Sequence, residues 1–332
     1  MSGKTYWQVA SGSAQRNYPN IFIEFGVFAV NHDWRNTGHY HHSLQKAKRG
    51  DIFILKGGIS RIHAVGIVQD DDLRKADYYF NLDGWALEYY KFIDWYVPQN
   101  PIPAKGKGLR MGTIQKIHVH GLKTLADNAL STWSKAVSSR TINEDIKIVE
   151  DKDIINRLIK EGLKIQQSEV LTSTFNRVRL LADYYLKNFD WRNINEDQVR
   201  TFLVIPFLLA MGWSEQQLFL EYKIGRKKAD IVCFDKPIHS SEKKAKILIE
   251  VKKLSEGLNY AIDQAFAYAK ALGDVKTICV TNGFCYQIYD LDYSEDYNEP
   301  YAYINILEPI DQFPLNNQTN GAIEALIKML KL

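Results

Sequence analysis

Three residues in the C-terminal half of the chain could bind a divalent metal ion beside a phosphate group. Asp230 lies near the start of the apolar run ADIVCF, and Glu250 and Lys252 lie in the run ILIEVKK. Residues two apart in a β-strand point to the same face, so Glu250 and Lys252 would project together. If the two runs form neighbouring strands, Asp230 joins them, and two carboxylates converge on a hard-oxygen site suited to Mg²⁺.

A metal ion held by these carboxylates would favour chemistry on a phosphodiester. Mg²⁺, for which Mn²⁺ is an expected substitute, can bind a phosphate oxygen and lower the pKa of a coordinated water. The Val251 carbonyl is available as a third ligand, and the Lys252 ammonium would offset charge that builds up on phosphorus. The alternative is a solvated cluster of salt bridges. Both runs are otherwise apolar, where unpaired charges are costly to bury, and this favours a functional site.

Two helices carry further candidates. Gln264 and Tyr268, in DQAFAYAK, are four residues apart and share one helix face. Glu196 opens an earlier helix, where a carboxylate also interacts favourably with the positive end of the helix dipole. Each of the three residues could equally be an ordinary helix residue.

The segment 191–332 alternates helix and strand. Asn195 is a good N-cap for the helix EDQVRTFLVIPFLLAM, Gly212 would end it, and Pro206 should kink it. The following pattern predicts strands at LFLEYKI, KADIVCF and KILIEVKKL, a helix at LNYAIDQAFAYAKAL, and strands at TICVTNG and CYQIYDL. This order predicts an α/β domain with a mixed sheet flanked by helices.

The first 125 residues have a different pattern. Short β-branched and aromatic runs separated by turn residues predict a small barrel or strongly bent sheet with one or two helices. Apolar residues at intervals of three and four then predict a helical connector over residues 126–190. The expected organisation is therefore a β domain at 1–125, a connector at 126–190 and an α/β domain at 191–332.

Composition excludes few classes of function. Apolar residues make up 45% and charged residues 24%, as in ordinary globular proteins, and the net charge of +3 is compatible with a nucleic-acid partner without requiring one. With no apolar run long enough for a bilayer and no secretory signal, a soluble cytoplasmic protein without a membrane partner is expected. Cys233, Cys279 and Cys285 lie in apolar runs and are expected to be reduced core residues.

The run from Glu196 to Tyr289 resembles the N-terminal nuclease domain of type I restriction enzyme R subunits, within the PD-(D/E)XK nuclease superfamily. The resemblance rests, in order, on the segments EDQVRTFLVIPFLLAMGW, EYKIGRKKADIV, ILIEVKK, DQAFAYAKALGDVKTICVTNG and CYQIYDL. No Gly-Lys-Ser/Thr phosphate loop follows, so an ATP-driven motor subunit is not expected.

This resemblance implies roles for individual residues. It makes Asp230 and Glu250 metal ligands and Lys252 the catalytic amine. Glu196 would support the metal shell, and the Gln-x-x-x-Tyr pair would contact DNA or order the site; that pair is Gln264 and Tyr268.

Residues 5–97 resemble an EVE domain of the PUA-like superfamily. The matching segments are Tyr6-Trp7, FGVFAVNHDW, KAKRGDIFIL, HAVGIV and ALEYYKFIDW. The resemblance implies a PUA-like β-barrel with flanking helices that holds a flipped, modified base, which would stack on aromatic rings and be read along its polar edge. The candidate pocket residues, all predicted in loops or at strand ends, are Asn31, Asp33, Trp34 and Trp85. Trp7 and Trp95, which lie within apolar runs, are predicted to be core residues.

Two other patterns admit more than one interpretation. The cluster Gly-His-Tyr-His-His at residues 38–42 has no cysteine or carboxylate at ligand spacing, so a solvated or phosphate-contacting surface is favoured over a metal site. The basic stretches KAKR and PAKGKGLR could contact backbone phosphates or be ordinary exposed faces.

Together these features predict a modification-dependent DNA endonuclease of type IV character. The EVE-like domain would capture a base such as a methylated or hydroxymethylated cytosine in double-stranded DNA, and the C-terminal domain would cut nearby with Mg²⁺. A homodimer would supply the two active sites that cutting both strands requires. The alternatives are a catalytically inactive binding protein that uses the nuclease fold as a scaffold, and an RNA-directed nuclease.

Overall fold

The computed structural model describes residues 3–13, 16–31, 40–75, 81–141, 145–187, 193–292, 299–316 and 318–331. The chain forms two compact units, Met1–Asn143 and Glu144–Leu332. Among the helices of the described ranges, none has the length and apolar character that crossing a membrane requires.

The first unit consists mainly of short strands. Its strands are β1 (Tyr6–Ala10), β2 (Gly12–Ser13), β3 (Arg16–Asn17), β4 (Val27–Val30), β5 (Ile52–Gly57), β6 (Arg61–Val68), β7 (Arg74–Lys75), β8 (Asn81–Leu82), β9 (Trp85–Ala86), β10 (Tyr89–Val97), β11 (Ile102–Pro103), β12 (Ile114–Lys116) and β13 (Ser134–Lys135). Its helices are α1 (Pro19–Glu24), α2 (Tyr40–Gln45) and α3 (His120–Thr132).

The main sheet of this unit is curled. Its strands run in the order β12-β1-β5-β6-β10-β13, and β4, β7 and β11 pair outside this path. Strand β10 changes partners along its length: residues 89–92 pair with β4, and residues 93–97 pair with β6 and β13. A strand that passes from one set of partners to another forms a corner of the sheet. The strongly bent sheet that the sequence pattern predicts is therefore present.

The turn before β5 depends on one buried carboxylate. Asp51 accepts hydrogen bonds from the Thr5 amide at 2.8 Å and from the Trp7 indole N–H at 3.0 Å, and it thereby joins β1 to the start of β5. Gly50 precedes it with a φ of +87°, in the left-handed region that favours glycine. The Lys-Arg-Gly-Asp step of the sequence thus has a structural role at this turn.

Two tryptophans that the sequence places in the core are indeed buried. Trp7 is 3% exposed and Trp95 is 1% exposed. The indole N–H of Trp95 lies 3.0 Å from each of the Phe22 and Val27 carbonyl oxygens, so its polar atom is satisfied inside the core. Neither indole is available as a stacking platform for a base.

The second unit combines six helices, two short helical segments and six strands. The helices are α4 (Asp151–Lys160), α5 (Ile165–Lys187), α6 (Glu196–Val199), α7 (Ile205–Ala210), α8 (Ile262–Leu272) and α9 (Ala322–Met329), with a π-helical segment at Arg200–Val204 and a 3₁₀ turn at Glu215–Gln217. The strands are β14 (Leu218–Ile224), β15 (Lys227–Phe234), β16 (Ala245–Val251), β17 (Thr277–Thr281), β18 (Cys285–Asp290) and β19 (Ala302–Asn305). All of these counts refer to the residues described.

The strands of this unit form one mixed sheet in the order β14-β15-β16-β17-β18-β19. Among the described strands of this sheet, β16 and β17 are the one pair that runs in parallel, and α8 makes the crossover between them that a parallel pair requires. The mixed sheet flanked by helices is thus confirmed. Cys233, Cys279 and Cys285 are reduced and buried in its strands, as expected.

Helices α4 and α5 also pack in this second unit. Helix α4 contacts α9, and α5 contacts α7. The segment that the sequence pattern places in a connector therefore covers part of the second unit's core.

The helix that begins at Glu196 contains a π-helical turn just before its proline. Asn195 caps its start in a reciprocal capping box with Gln198. The chain then widens into the π-helical turn, and Pro206 follows directly. Pro206 has no N–H to donate to the carbonyl oxygen of Phe202, four residues earlier. That oxygen accepts a hydrogen bond from the Arg177 guanidinium at 3.3 Å instead. The structure thus has a π-helical turn just before the position where the sequence predicts a kink.

The packing of Gly66 against Trp95 yields a stability prediction. A Cβ on Gly66 would lie 2.5 Å from Cε3 of Trp95 and would also meet the Ile93 side chain, whereas a Cβ on Gly121 would meet nothing within 4 Å. Gly66→Ala is therefore expected to lower the free energy of unfolding of the first unit by about 1–3 kcal/mol. Gly121→Ala, the matched control in α3, should stay within about 1 kcal/mol of the wild type. Urea denaturation measures both, and equal stabilities would contradict the packing described.

Candidate active site

The register of β15 and β16 brings Asp230 and Glu250 together. The ladder between these strands ends at the pair Ile231 and Ile249, and one step further places Asp230 opposite Glu250. Directly opposed residues of neighbouring strands project to the same face of a sheet. At this point the Asp230 carboxylate accepts the Val251 amide hydrogen at 2.7 Å, so its orientation is fixed by the neighbouring strand.

Glu250 is almost completely withdrawn from water, with 2% of its surface exposed. Its Oε1 accepts hydrogen bonds from Lys252 Nζ at 2.9 Å and from Gln264 Nε2 at 2.7 Å. Its other oxygen, Oε2, is buried and has no hydrogen-bond partner in the described part of the chain. A buried carboxylate oxygen without a partner is costly. A divalent cation between Glu250 and Asp230 would satisfy it, so the residues present fit a metal ion.

Burial shifts the charge states of the three central groups. The pKa of Glu250 is raised to about 7, first by burial and then by the charge of Asp230, while Lys252 opposes the shift. Burial also raises the pKa of Asp230 and outweighs the hydrogen bond from the Val251 amide. For Lys252, burial lowers the pKa, but the charge of Glu250 and its hydrogen bond outweigh burial, and the net shift is upward. The amine is therefore a firmly held ammonium.

Helix α8 supplies the side chain that fixes Glu250. It follows β16 in the crossover, which places Gln264 against the Glu250 carboxylate. Tyr268, one turn later, is buried, and burial together with the charge of Glu250 raises the pKa of its phenol. The structure thus brings both residues of the Gln-x-x-x-Tyr pair to the site.

Glu196 lies at the edge of this arrangement. Its Oε1 is 3.9 Å from Lys252 Nζ, and its side chain is 42% exposed. In the ranges that the structure describes, no group of three or more His, Cys, Asp or Glu residues is positioned to hold a metal ion. The geometry therefore pairs Glu196 with the ammonium of Lys252, while Asp230 and Glu250 face each other.

A glycine allows the helix that carries Glu196 to approach the sheet. Gly283, between β17 and β18, has a φ of +95°, and a Cβ there would lie 2.6 Å from Leu203 and 2.7 Å from Val199. A larger residue would therefore have to displace the Val199 and Leu203 side chains, which pack against this turn of the sheet.

Two residues that sequence reasoning missed lie beside Asp230. The Arg200 guanidinium is 2.6 Å from Asp197, 3.5 Å from Glu221 and 3.9 Å from Asp230. It is four residues after Glu196 on one helix face, a spacing that could have pointed to it. Glu221 lies in register with Asp230 on β14 and has a φ of +52°, in a region that non-glycine residues rarely occupy. Such backbone strain often accompanies functional sites, but no sequence pattern predicts it at this position.

The predicted base-pocket residues are only partly described. Asn31 is half-buried at the end of β4, and Trp85 is half-buried directly after the Asp83-Gly84 turn. Both turn residues have positive φ values, 51° and 83°, as a two-residue hairpin requires. Among the hydrogen bonds, ion pairs and ring contacts of the described residues, none joins Asn31 to Trp85. The other two predicted pocket residues, at positions 33 and 34, lie outside the described ranges.

The comparisons with known proteins support the restriction-enzyme-like character of the second unit. Residues 195–305, about a third of the chain, match the family described as type I restriction enzyme R protein N terminus. Among solved structures, the chain is similar to the YTH domain of a Zygosaccharomyces rouxii protein in complex with N6-methyladenosine RNA, with 14% identity over 39% of this chain and 88% of that chain and a TM-score of 0.27. No curated protein matches the chain.

The raised pKa of Glu250 predicts a pH-dependent stability in the absence of metal. Between its ordinary value of 4.5 and about 7, the folded state holds a proton that the unfolded state releases, so this group makes the unfolding free energy fall as pH rises through that window. Glu250→Gln removes the effect. In a chelating buffer at pH 8 the variant should exceed the wild type by on the order of 1–3 kcal/mol, and the difference should vanish towards pH 4. Urea denaturation across this range provides the measurement; parallel pH curves would show that Glu250 is not held protonated.

Proposed function

We propose that the protein is a Mg²⁺-dependent DNA endonuclease that a modified base directs to its substrate. One observation carries the catalytic part of this proposal. Glu250 is buried with one oxygen unpartnered, it faces Asp230 across two strands, and it is hydrogen-bonded to Lys252. The match of residues 195–305 to restriction-enzyme N-terminal domains supports the choice of DNA as substrate.

Asp230 and Glu250 would hold the metal ion, with the Val251 carbonyl as a further oxygen ligand. A bound Mg²⁺ would supply a Lewis acid for a phosphodiester oxygen and would lower the pKa of an attacking water. The donors are hard oxygens, which suits Mg²⁺, with Mn²⁺ as its substitute. Because the Val251 amide fixes Asp230 and Gln264 fixes Glu250, both carboxylates are oriented before any ion arrives.

Lys252 would act on the reacting phosphate. Its ammonium is held between Glu250, at 2.9 Å, and Glu196, at 3.9 Å, and its side chain is only 16% exposed. A cation fixed in such a low-dielectric position can orient a water and stabilise negative charge that develops on the phosphorus oxygens. Glu196 would keep the ammonium in place, and Tyr268 would order Gln264 or contact DNA.

The first unit would select the substrate. Its sequence resembles EVE domains, and Trp85 lies half-buried on the tight hairpin formed by β8 and β9. Trp85 would stack on a flipped base, such as a modified cytosine, and Asn31 would read its polar edge. Asp33 and Trp34 belong to this pocket on the strength of the sequence resemblance. A homodimer would place two active sites on double-stranded DNA, as cutting both strands requires.

Substitution of the metal and amine positions tests the catalytic proposal. Asp230→Asn and Lys252→Ala should each lower cleavage of DNA by at least about 100-fold, because each removes a group that stabilises the transition state. Binding of the same DNA, measured by fluorescence anisotropy, should change little. Lys253→Ala is the matched control, since Lys253 is the next residue along the chain and its ammonium lies 3.8 Å from Glu256. A chelator should abolish cleavage, and Mg²⁺ or Mn²⁺ should restore it.

The result also separates the alternatives. A wild-type protein that binds DNA but cuts neither DNA nor RNA in Mg²⁺ would indicate an inactive scaffold. Cleavage of RNA in preference to DNA would indicate an RNA-directed nuclease. Full activity of Lys252→Ala would contradict the assignment of the amine.

Digestion of matched DNAs tests the modified-base proposal. Duplexes that differ only in carrying cytosine, 5-methylcytosine, 5-hydroxymethylcytosine or N6-methyladenine should be cut at different rates, with a modified cytosine preferred. Trp85→Ala should remove most of this preference, because stacking of a base on an aromatic ring contributes about 1–3 kcal/mol. It should leave slow cleavage of unmodified DNA unchanged. Trp133→Ala, which alters a half-buried tryptophan in the same unit, is the control. Equal rates on all four duplexes would contradict the proposal.

A further inference from the structure

Two cavities of the first unit share lining residues. One, of about 660 Å³, is lined by His42, Ser43, Gln45, Lys46 and Lys48. The other, of about 480 Å³, is lined by Trp7, Ser43, Lys46, Arg110, Met111, Ile114, Gln115, Lys116 and His118. Because Ser43 and Lys46 line both, the two cavities are neighbours, and together they are called the cationic cleft.

The charge of the cationic cleft is of one sign. Lys46, Lys48, Arg110 and Lys116 are exposed there, and no acidic residue is among its described lining residues. The ion pairs of the described ranges include none of these four side chains. Four cations on one surface without counter-ions repel one another, so this arrangement favours a polyanionic partner.

The loop that carries Arg110 is held rigidly against β1. The buried Gln8 side chain accepts the Arg110 amide hydrogen at 2.9 Å and donates to the Arg110 carbonyl at 3.1 Å. The same amide group donates to Gln115 Oε1 at 2.8 Å, which ties the loop to the start of β12. Gly112, with a φ of +117°, makes the turn between them. The backbone beneath the guanidinium is thus fixed while its charge points to water.

Lys116 is positioned by a different contact. Its Nζ lies 5.2 Å from the centroid of the Trp7 ring, a cation–π arrangement. Trp7 is itself anchored through its indole N–H to Asp51, so the ammonium rests on a rigid support. Arg110 and Lys116 are therefore positioned by buried residues, Gln8 and Trp7, whereas an ordinary surface lysine is freely solvated.

We infer that the cationic cleft binds the phosphodiester backbone of the nucleic acid that the protein acts on. Lysine and arginine contacts to phosphates position a protein on nucleic acid without reading its sequence, and the four cations of the cleft suit that role. The inference rests on the proposed function for the identity of the nucleic acid. It adds a substrate-binding surface whose lining residues are shared neither with the carboxylate site nor with the residues predicted for the base pocket.

Salt-dependent binding tests the inference on the full chain, in EDTA so that no cleavage occurs. The test variant is Arg110→Gln with Lys116→Gln, and the matched control is Arg61→Gln with Lys105→Gln, which removes one arginine and one lysine from exposed positions of the same unit outside the cleft. Fluorescence anisotropy with a duplex DNA, modified and unmodified, and with an RNA of the same sequence gives the affinity at several salt concentrations.

The test variant should bind both DNAs more weakly by the same factor, and the slope of log affinity against log salt should fall by about 2, one unit for each lost phosphate contact. The control should keep the wild-type slope, and both variants should keep the wild-type melting temperature. The inference is overturned if the test variant has the same salt slope as the control variant on both DNA and RNA. It is also overturned if the wild-type protein binds neither DNA nor RNA. Because the readout is binding, loss of the slope difference leaves the cleavage test of the proposed function unaffected.

Discussion

Glu250 is held out of water with a second carboxylate, Asp230, directly across from it, and a pair of this kind is unstable unless cations compensate it. One oxygen of Glu250 is compensated by Lys252 and Gln264, and the other has no described partner. The uncompensated negative charge on that oxygen is what makes the site suited to a divalent ion. The rest of the second unit can be understood as the framework that maintains this unfavourable arrangement.

Three parts of the second unit form that framework: the β15–β16 pair, α8 and the helix that begins at Glu196. The β15–β16 register sets the two carboxylates face to face, and the parallel crossover through α8 brings Gln264 over them. The helix that begins at Glu196 comes close to the sheet because Gly283 leaves room for it, and its π-turn places Arg200 near Asp230. A carboxylate–ammonium site of this type needs such rigid support, because small displacements of the groups weaken electrostatic stabilisation steeply.

Much of this could be predicted from the sequence, because alternation and helix spacing translate directly into shared faces. The common face of Glu250 and Lys252, the Asn195 cap and the burial of Trp95 all follow from local patterns. Other features depend on tertiary context that no local pattern contains. Glu221 has a positive φ, although glutamate is not a residue type that predicts one. The position of Arg200 beside the site depends on the π-helical turn, which local spacing does not predict. The sequence pattern assigns the helices at 151–187 to a connector because an amphipathic pattern does not indicate which domain core a helix covers.

The measurement that most directly tests the metal site is a crystal structure of the protein soaked in Mn²⁺, recorded at a wavelength where manganese scatters anomalously. The account predicts an anomalous peak within coordination distance of both the Asp230 and the Glu250 carboxylates, with Lys252 Nζ outside the coordination sphere. The same soak of Asp230→Asn should show a much weaker peak. An empty site at saturating Mn²⁺, with Glu250 Oε2 bonded instead to a protein group, would contradict the account.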